Sequence, residues 1–423
     1  MNDSHEDWSS TRRTVIRGAA AGAAAWSGLT VSVGGAVADN DDAEYDGLLV
    51  LIYDDSPRED YTQTFPVHEE YGVPGCVAVC PGLMGTHSQW MHPGHLEELY
   101  EAGWEVMSHT LVHRALGEIP VRSDIEEGDT EIHVQSNLHG RFEGDPLLIF
   151  DGETQTTATV AGRDEDGDEQ LIVLEEPIDE SFEAGDGWET WVRYTDEFTE
   201  QILEESKAQI EEWGFGPVTA YVHTYNRYDG YVSEIVSEYY DAVPNRHRGV
   251  LNPTFDPDPL ELSRDNFETD NFSDEEIADY LDVIANEPDF GILYGHSHHQ
   301  AMTEERIAET IEMAQERNVK IVTLQEAMVE LGVWDDDLTG ATDDNGDEEE
   351  DDDDDGDETG DDEQDVTDDD DGDDDEDDID VGDDEPADDD NELVGFGAAG
   401  ALAGLAGASY LLGKRRFQAD ADD

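Results

Sequence analysis

Lysine is almost missing from this 423-residue chain. Lys207, Lys320 and Lys414 are its only three, and with arginine they bring the basic residues to 20 against 112 Asp and Glu. The formal charge is −92. Such a balance excludes nucleic acid as a partner, because gripping a phosphate backbone needs a basic footprint. Residues 335–392 alone hold 38 acidic side chains and no basic one. The remainder still carries 74 acidic against 20 basic residues, so −54 falls outside that run. An acidic, lysine-poor surface suits work in concentrated salt, where screening confines charge repulsion to a few ångström.

Cysteine is scarce as well. Cys76 and Cys80 lie in GVPGCVAVCPG. In a strand, residues four apart are separated by about 13 Å, too far for a disulfide. Two thiols without a second pair do not make a zinc site either. Both read as small buried residues.

Long uncharged runs are confined to the two ends. Thr11-Arg12-Arg13-Thr14-Val15-Ile16 opens a Gly/Ala-rich apolar stretch that closes on Ala36-Val37-Ala38. Residues 1–38 therefore read as a twin-arginine signal with a small-residue cleavage site. Residues 393–413 carry no charge and are long enough to span a bilayer. Lys414, Arg415 and Arg416 follow, which places the C-terminus inside. The segment 393–416 is similar to archaeal surface-sorting signals beginning Pro-Gly-Phe, with Val394-Gly395-Phe396 in that place. Residues 335–392 cannot bury apolar area and read as a disordered, self-repelling tether. The expectation is a protein exported by the twin-arginine route and held outside the cell, at its surface or membrane, by the C-terminal segment.

Between the ends, strand-like runs at 48–53, 75–80, 104–107, 217–222, 290–294 and 319–323 alternate with helical patterns. The helical patterns are at 94–102, 196–213, 229–240, 273–286, 303–317 and 325–331. Alternation of this kind predicts an α/β domain with a parallel, barrel-like sheet. Catalytic residues then belong at the C-terminal ends of strands. Residues 119–194 interrupt the pattern with short strand-like segments punctuated by Gly-Asp and Asp-Gly. They read as a small all-β module inserted between 46–118 and 196–334, at the rim of the active-site face. There it lengthens a substrate groove without supplying a catalytic group. Phe182, Trp188 and Trp191 either form that module's own core or stack on sugar rings. Asn271-Phe272-Ser273 is a glycosylation sequon on an expected surface loop.

Three strings carry chemistry. LLVLIYDDSP at 48–57 places Asp54 and Asp55 at the end of a buried strand that must stop at Pro57. Neighbouring side chains on a strand point to opposite faces, so one carboxylate can hold a metal while the other holds a proton. MSHTLVHRAL at 107–116 offers His109 and His113 after another short apolar run. One Asp and two His make a facial ligand set for Zn²⁺ or a related divalent ion, with coordination positions left open for water. GILYGHSHH at 291–299 ends a late strand on His296. The chemistry implied is metal-assisted hydrolysis.

In that order these strings resemble the polysaccharide deacetylase family, the NodB-type carbohydrate esterases. Its first motif ends in paired Asp, its second is His-Thr/Ser-x-x-His, and its last is a strand-end His. The resemblance implies a distorted (β/α) barrel with an inserted β module. It makes Asp54 the general base, Asp55, His109 and His113 the ligands of one divalent ion (Zn²⁺ the candidate), and His296 the general acid. It implies removal of N-acetyl or O-acetyl groups from an acetylated polysaccharide, by a chain expected to be a monomer. The family's third motif, Arg-x-Pro-Tyr, is broken here: Val222 stands in place of Arg and Thr224 in place of Pro, while Tyr225 fits. An arginine within a few ångström favours an ionised carboxylate, so Asp54 is expected to lack that support. His223 is the expected local substitute, and His223 and Tyr225 are the expected substrate-side residues. His298 replaces His296 if the alignment slips by two.

Two other readings compete. One is a deacetylase-like glycan-binding protein that has lost activity with the missing Arg. The other takes Gly295-His296-Ser297-His298 as the Gly-His-x-His of metallophosphoesterases, against which Asp54-Asp55-Ser56 lacks the His of their Asp-x-His. One consequence of the charge is testable on its own: a fragment spanning 39–335 should melt at a higher temperature in multimolar salt than in dilute buffer. Thermal denaturation at the two salt concentrations checks this, and equal midpoints would exclude self-repulsion as a force opposing the fold.

Overall fold

The computed structural model describes residues 45–335 apart from 168, 186, 187, 246–249 and 288. The expected export signal, most of the tether and the expected membrane segment lie outside the described residues. Among the described residues no helix is long and apolar enough to cross a membrane.

The chain runs β1 (Gly47–Asp54), α1 (Phe65–Tyr71), β2 (Cys76–Val79), α2 (Pro93–Glu101), β3 (Glu105–Ser108). Then come β4 (Ile119–Pro120), β5 (Glu131–Val134), β6 (Pro146–Phe150), β7 (Gln155–Asp166), β8 (Glu169–Leu174) and β9 (Trp191–Tyr194). It continues through α3 (Asp196–Glu212), α4 (Gly230–Val236), β10 (Asn252–Pro253), β11 (Asp265–Asn266) and α5 (Asp274–Asn286). β12 (Asp289–Gly295), α6 (Glu304–Glu316), β13 (Val319–Val322) and α7 (Leu324–Glu330) complete it.

The fold is α/β. β1 is buried along nearly its whole length, as its unbroken apolar run requires of a strand covered on both faces. It pairs in parallel with β12, β13 and β2, and β2 pairs with β3. Beyond β3 the sheet curls on through single hydrogen bonds rather than ladders. Ser108 bonds Ala220 and Val222, Tyr221 bonds Ala242, and Val243 bonds Pro259 and Leu262. β11 then pairs in parallel with β12, which returns the bonding to β1. This raggedness corrects one expectation: 217–222 is no strand but two isolated bridges, at Ala220 and Tyr221. Each pairing there is too short to form a ladder. Helices α2, α3, α5, α6 and α7 fall where the apolar periodicity put them. α4 stops at Val236, and α1 follows a π-helical turn, Asp60–Thr64, in a segment with no readable helical pattern. Ser273 of the sequon caps α5 in a reciprocal box with Glu276, which accounts for that Ser without a glycan.

Residues 119–194 form a six-stranded antiparallel sheet, ordered β4-β9-β6-β7-β8-β5. No break in the core sets it apart. Leu138, Leu147, Ile149 and Val192 share one hydrophobic cluster with Leu51, Val79, Ala115 and Leu116 of the parallel domain. Phe182 is buried in that cluster, whereas Trp188 is 50 % exposed, with the Arg122 guanidinium 4.9 Å from its ring centre. Both cysteines are buried and free. Replacing 119–194 by a short Gly/Ser linker should expose this shared cluster and abolish the cooperative melting transition. Circular dichroism against temperature checks this, and a sharp native-like transition would show that the parallel domain folds alone.

Candidate metal centre

The site gathers where β1 and β3 end. Asp54 is the last residue of β1, and Asp55 and Ser56 then turn the chain with φ of 83° and 65°. Ser56 Oγ accepts the Cys80 N–H at 2.7 Å, which ties this turn to the end of β2. His109 follows β3 directly, and Thr110 and His113 also have positive φ. Of the eight described non-glycine residues with positive φ, six are Asp55, Ser56, Thr110, His113, Tyr225 and Asn226. Backbone strain of about 1–3 kcal/mol each is held only where the surroundings over-determine it, and it clusters at functional sites.

Asp55 Oδ1 lies 3.2 Å from His109 Nε2 and 3.0 Å from His113 Nε2. His109 Nδ1 is 2.8 Å from the Val222 carbonyl, which can only accept, so the proton of the neutral ring sits on Nδ1. His113 Nδ1 pairs with Tyr225 Oη at 3.1 Å. His109 Nε2 therefore turns its lone pair toward a carboxylate oxygen that is itself buried without a hydrogen-bond partner, and His113 Nε2 does the same when its proton sits on Nδ1, donated to the phenol oxygen. Three converging lone pairs repel one another unless a cation sits among them, and this donor set fits a divalent ion of the zinc type. Burial alone would raise the Asp55 carboxyl. Protonated, the neighbouring imidazoles of His113 and His109 would outweigh it and hold the group well below the usual carboxylate range. Burial lowers His113 in spite of Asp55, which keeps its ring in the neutral, ligating form.

Asp54 has an arginine partner after all. Arg264 grips it in a fork, Nη1 to Oδ1 at 3.0 Å and Nη2 to Oδ2 at 2.8 Å, with both side chains 2 % exposed. The expectation of an unsupported base is thus overturned. The guanidinium that the third motif lacks arrives from the segment just before β11. Arg264 also donates to Asn226 Oδ1 at 3.0 Å and lies 3.8 Å from the centre of the Tyr294 ring. Val222, in the motif's Arg position, is buried and serves through its carbonyl instead. His223 takes no part in holding Asp54. Its ring packs edge-on against Tyr221 and tilted against Tyr228.

His296 lies at the end of β12 with Nε2 3.9 Å from Asp55 Oδ2, on the side of the site opposite its own Nδ1 partner. That partner is Glu268, whose Oε1 accepts from both the backbone N–H and Nδ1 of His296, at 3.0 and 2.7 Å. Oε2 of the same carboxylate lies 3.0 Å from His299 Nδ1. Glu268, His296 and His299 have the side chains of a second ion site, but Oε1 is already taken by two N–H donors, so this is a hydrogen-bonded bracket. Burial would raise Glu268, yet His296 and His299 together hold it well below the usual range. His298 is not part of this bracket. Asp60, buried in the π-helical turn, is pushed well above the usual carboxylate range by burial, against a smaller opposing contribution from Ser297.

The structure brings together Asp54, Asp55, His109, His113, His296 and Tyr225, six of the residues expected from sequence. Sequence reasoning missed Arg264 and Glu268. The one signal available was an arginine, scarce in this chain, four residues ahead of a glutamate in an otherwise patternless stretch. Removing Arg264 while leaving Asp54 strands a buried charge, so Arg264→Ala should lower folding stability by about 3–5 kcal/mol. Arg264→Lys should recover only part, because an ammonium cannot make the fork. Denaturant unfolding checks both, and a loss under about 1 kcal/mol in Arg264→Ala would show that the pair is not held in solution.

Residues 42–138 match the family model described as polysaccharide deacetylase. No curated protein is matched. Among solved structures, the chain is similar to a family 4 acetyl xylan esterase from Clostridium thermocellum bound to cobalt. Identity is 12 %, the TM-score 0.37, and 68 % of this chain and 93 % of that one are covered. It is also similar to a chitin deacetylase from Colletotrichum lindemuthianum (13 %, 0.36, 66 % and 87 %). The Xyl-CE4 domain of a multidomain xylanase from the hindgut metagenome of Trinervitermes trinervoides is a third (11 %, 0.35, 68 % and 91 %). The matched stretch, 42 to 138, carries Asp54, Asp55, His109 and His113.

Proposed function

We propose that the chain is a metal-dependent hydrolase that removes N-acetyl or O-acetyl groups from a surface or extracellular polysaccharide. The observation that carries this reading is the pair of adjacent carboxylates with divided duties. Asp55 faces the Nε2 atoms of two imidazoles, and Asp54, beside it, is held by both oxygens in the Arg264 fork. When bound by Asp55, His109 and His113, a divalent ion supplies Lewis acidity toward an acyl oxygen. Asp54 accepts the proton of the attacking water, its orientation fixed by Arg264. His296, with Nδ1 committed to Glu268, delivers a proton from Nε2 to the leaving amine or alcohol. Arg264 and Glu268 are positioning residues. Arg264 answers the observation that pointed to an inactive glycan binder, since the arginine missing from its motif is replaced in space. Export and membrane attachment belong to the proposal and rest on the terminal sequences.

The test is metal analysis of the purified chain, then acetate release from a panel of N- and O-acetylated glycans in high salt. A single equivalent of divalent ion is expected, lost in His109→Ala and His113→Ala. Asp54→Asn should keep the ion and lose turnover by roughly two or more orders of magnitude. Glu268→Gln removes the negative charge that favours the imidazolium, so the alkaline limb of the pH–rate profile should move to lower pH. Equal ion loss in Asp54→Asn and Asp55→Asn would reverse the two roles. A loaded wild type that releases acetate from no glycan would return the chain to the binding reading.

A further inference from the structure

The segment joining β5 to β6 reaches the candidate metal centre through Arg141. Residues 138–140 form a single 3-10 turn between β5 and β6, with Leu138, His139 and Gly140 all buried. Gly140 fits only as glycine, because a Cβ there would lie 2.9 Å from the Gly162 carbonyl and from Arg163 Cβ on β7. His139 Nε2 donates to the Gly117 carbonyl at 2.8 Å, and its ring lies 4.5 Å from that of Tyr194. The turn is thus clasped between its own sheet and the loop that follows His113. Just beyond it, Arg141 donates from Nη1 to Tyr225 Oη.

Tyr225 Oη is also the partner of His113 Nδ1. An arginine can only donate, and His113 must keep its proton on Nδ1 if Nε2 is to face Asp55 with a lone pair. The phenol oxygen therefore receives an N–H from each side, and its place is set by the two together. The backbone beneath is fixed independently, by Thr224 Oγ1 donating to the Arg114 carbonyl at 2.6 Å, with Tyr225 and Asn226 at φ of 55° and 47°. A second tie joins the same two segments: Arg114 grips Asp145 at 2.8 and 3.1 Å and lies 4.2 Å from the Phe142 ring centre. Residues 138–145 thus hold both His113, through Tyr225, and its neighbour Arg114.

We propose that Arg141 is a positioning residue of the metal centre, fixing Tyr225 so that Tyr225 holds His113 in its ligating orientation, and that the antiparallel sheet thereby completes the ion site. The assignment rests on the reading of Asp55, His109 and His113 as ligands. Groups that orient a ligating histidine typically govern ion affinity by about 10–100-fold.

The test is a double-mutant cycle on the full chain in high salt. The readout is Zn²⁺ affinity by competition with a chromophoric chelator, beside the melting temperature of the ion-free protein. Arg141→Ala and Tyr225→Phe should each weaken Zn²⁺ by about 10–100-fold, and the double variant by no more than the worse single one, since both break one chain of contacts. Arg141→Lys, which keeps a donor, should recover part of the affinity. Arg122→Ala, on the same sheet beside Trp188, should bind like wild type. Should Arg141→Ala fail to fold, Arg141→Gln replaces it under the same criteria. Affinity within two-fold of wild type in the Arg141 variant, or additive losses in the double variant, overturns the assignment. A wild type that takes up no Zn²⁺ overturns the ligand reading and this assignment together, which distinguishes the two failures.

Discussion

The constraint on which the site depends is the burial of two adjacent carboxylates at the end of one strand. Asp54 is 2 % and Asp55 9 % exposed, and like charges so placed cannot both persist in a low-dielectric interior without compensation. The structure answers each differently. Asp54 receives a fixed cation, Arg264, which satisfies both oxygens. Asp55 receives the Nε2 atoms of two imidazoles, a donor set that suits a mobile cation. A third buried acid, Asp60, has no cation in contact, and burial pushes its carboxyl well above the usual range. Under the proposed mechanism, the permanent charge pairs with the group that exchanges protons, and the exchangeable charge with the group that binds.

Those partners come from distant parts of the chain because the sheet curls. β1 and β3 contribute their own ends, but Val222, Tyr225 and Asn226 arrive over a region bonded to the sheet only at single positions. Arg264 and Glu268 flank β11, a strand of two residues. Short pairings of this kind let the backbone leave the sheet quickly, and in the Tyr225 turn they let residues adopt positive φ. Regularity in β1 and irregularity opposite it are two halves of one arrangement: the first supplies a rigid floor, the second supplies side chains from many directions.

How much of this the sequence revealed follows the same division. Asp54, Asp55, His109 and His113 were legible because they close apolar runs, so burial pattern and chemistry mark the same positions. His296 was legible for the same reason. Arg264 was not, since nothing in LELSRDNFET has a helical or strand period. Glu268 is one of 112 acidic residues and stands out in no way. The absent third-motif arginine was read correctly as an absence at position 222, yet a charge can be supplied from any residue that the fold brings near. Sequence order shows which residues end strands; it does not show who meets whom across a closed sheet. The boundaries at 119 and 194 were visible as changes of period, whereas the apolar surface shared across them was not.

The two histidines of the second motif are oriented by different kinds of acceptor. His109 leans on the carbonyl of Val222, a main-chain group that no side-chain substitution removes. His113 leans on a phenol, which is in turn braced by a guanidinium from another sheet. The orientation of one imidazole is thus insulated from point mutation, while that of the other can be altered at Tyr225 or Arg141 without touching the histidine itself. Evolution, or an engineer, has a fixed anchor and an adjustable one in the same candidate centre.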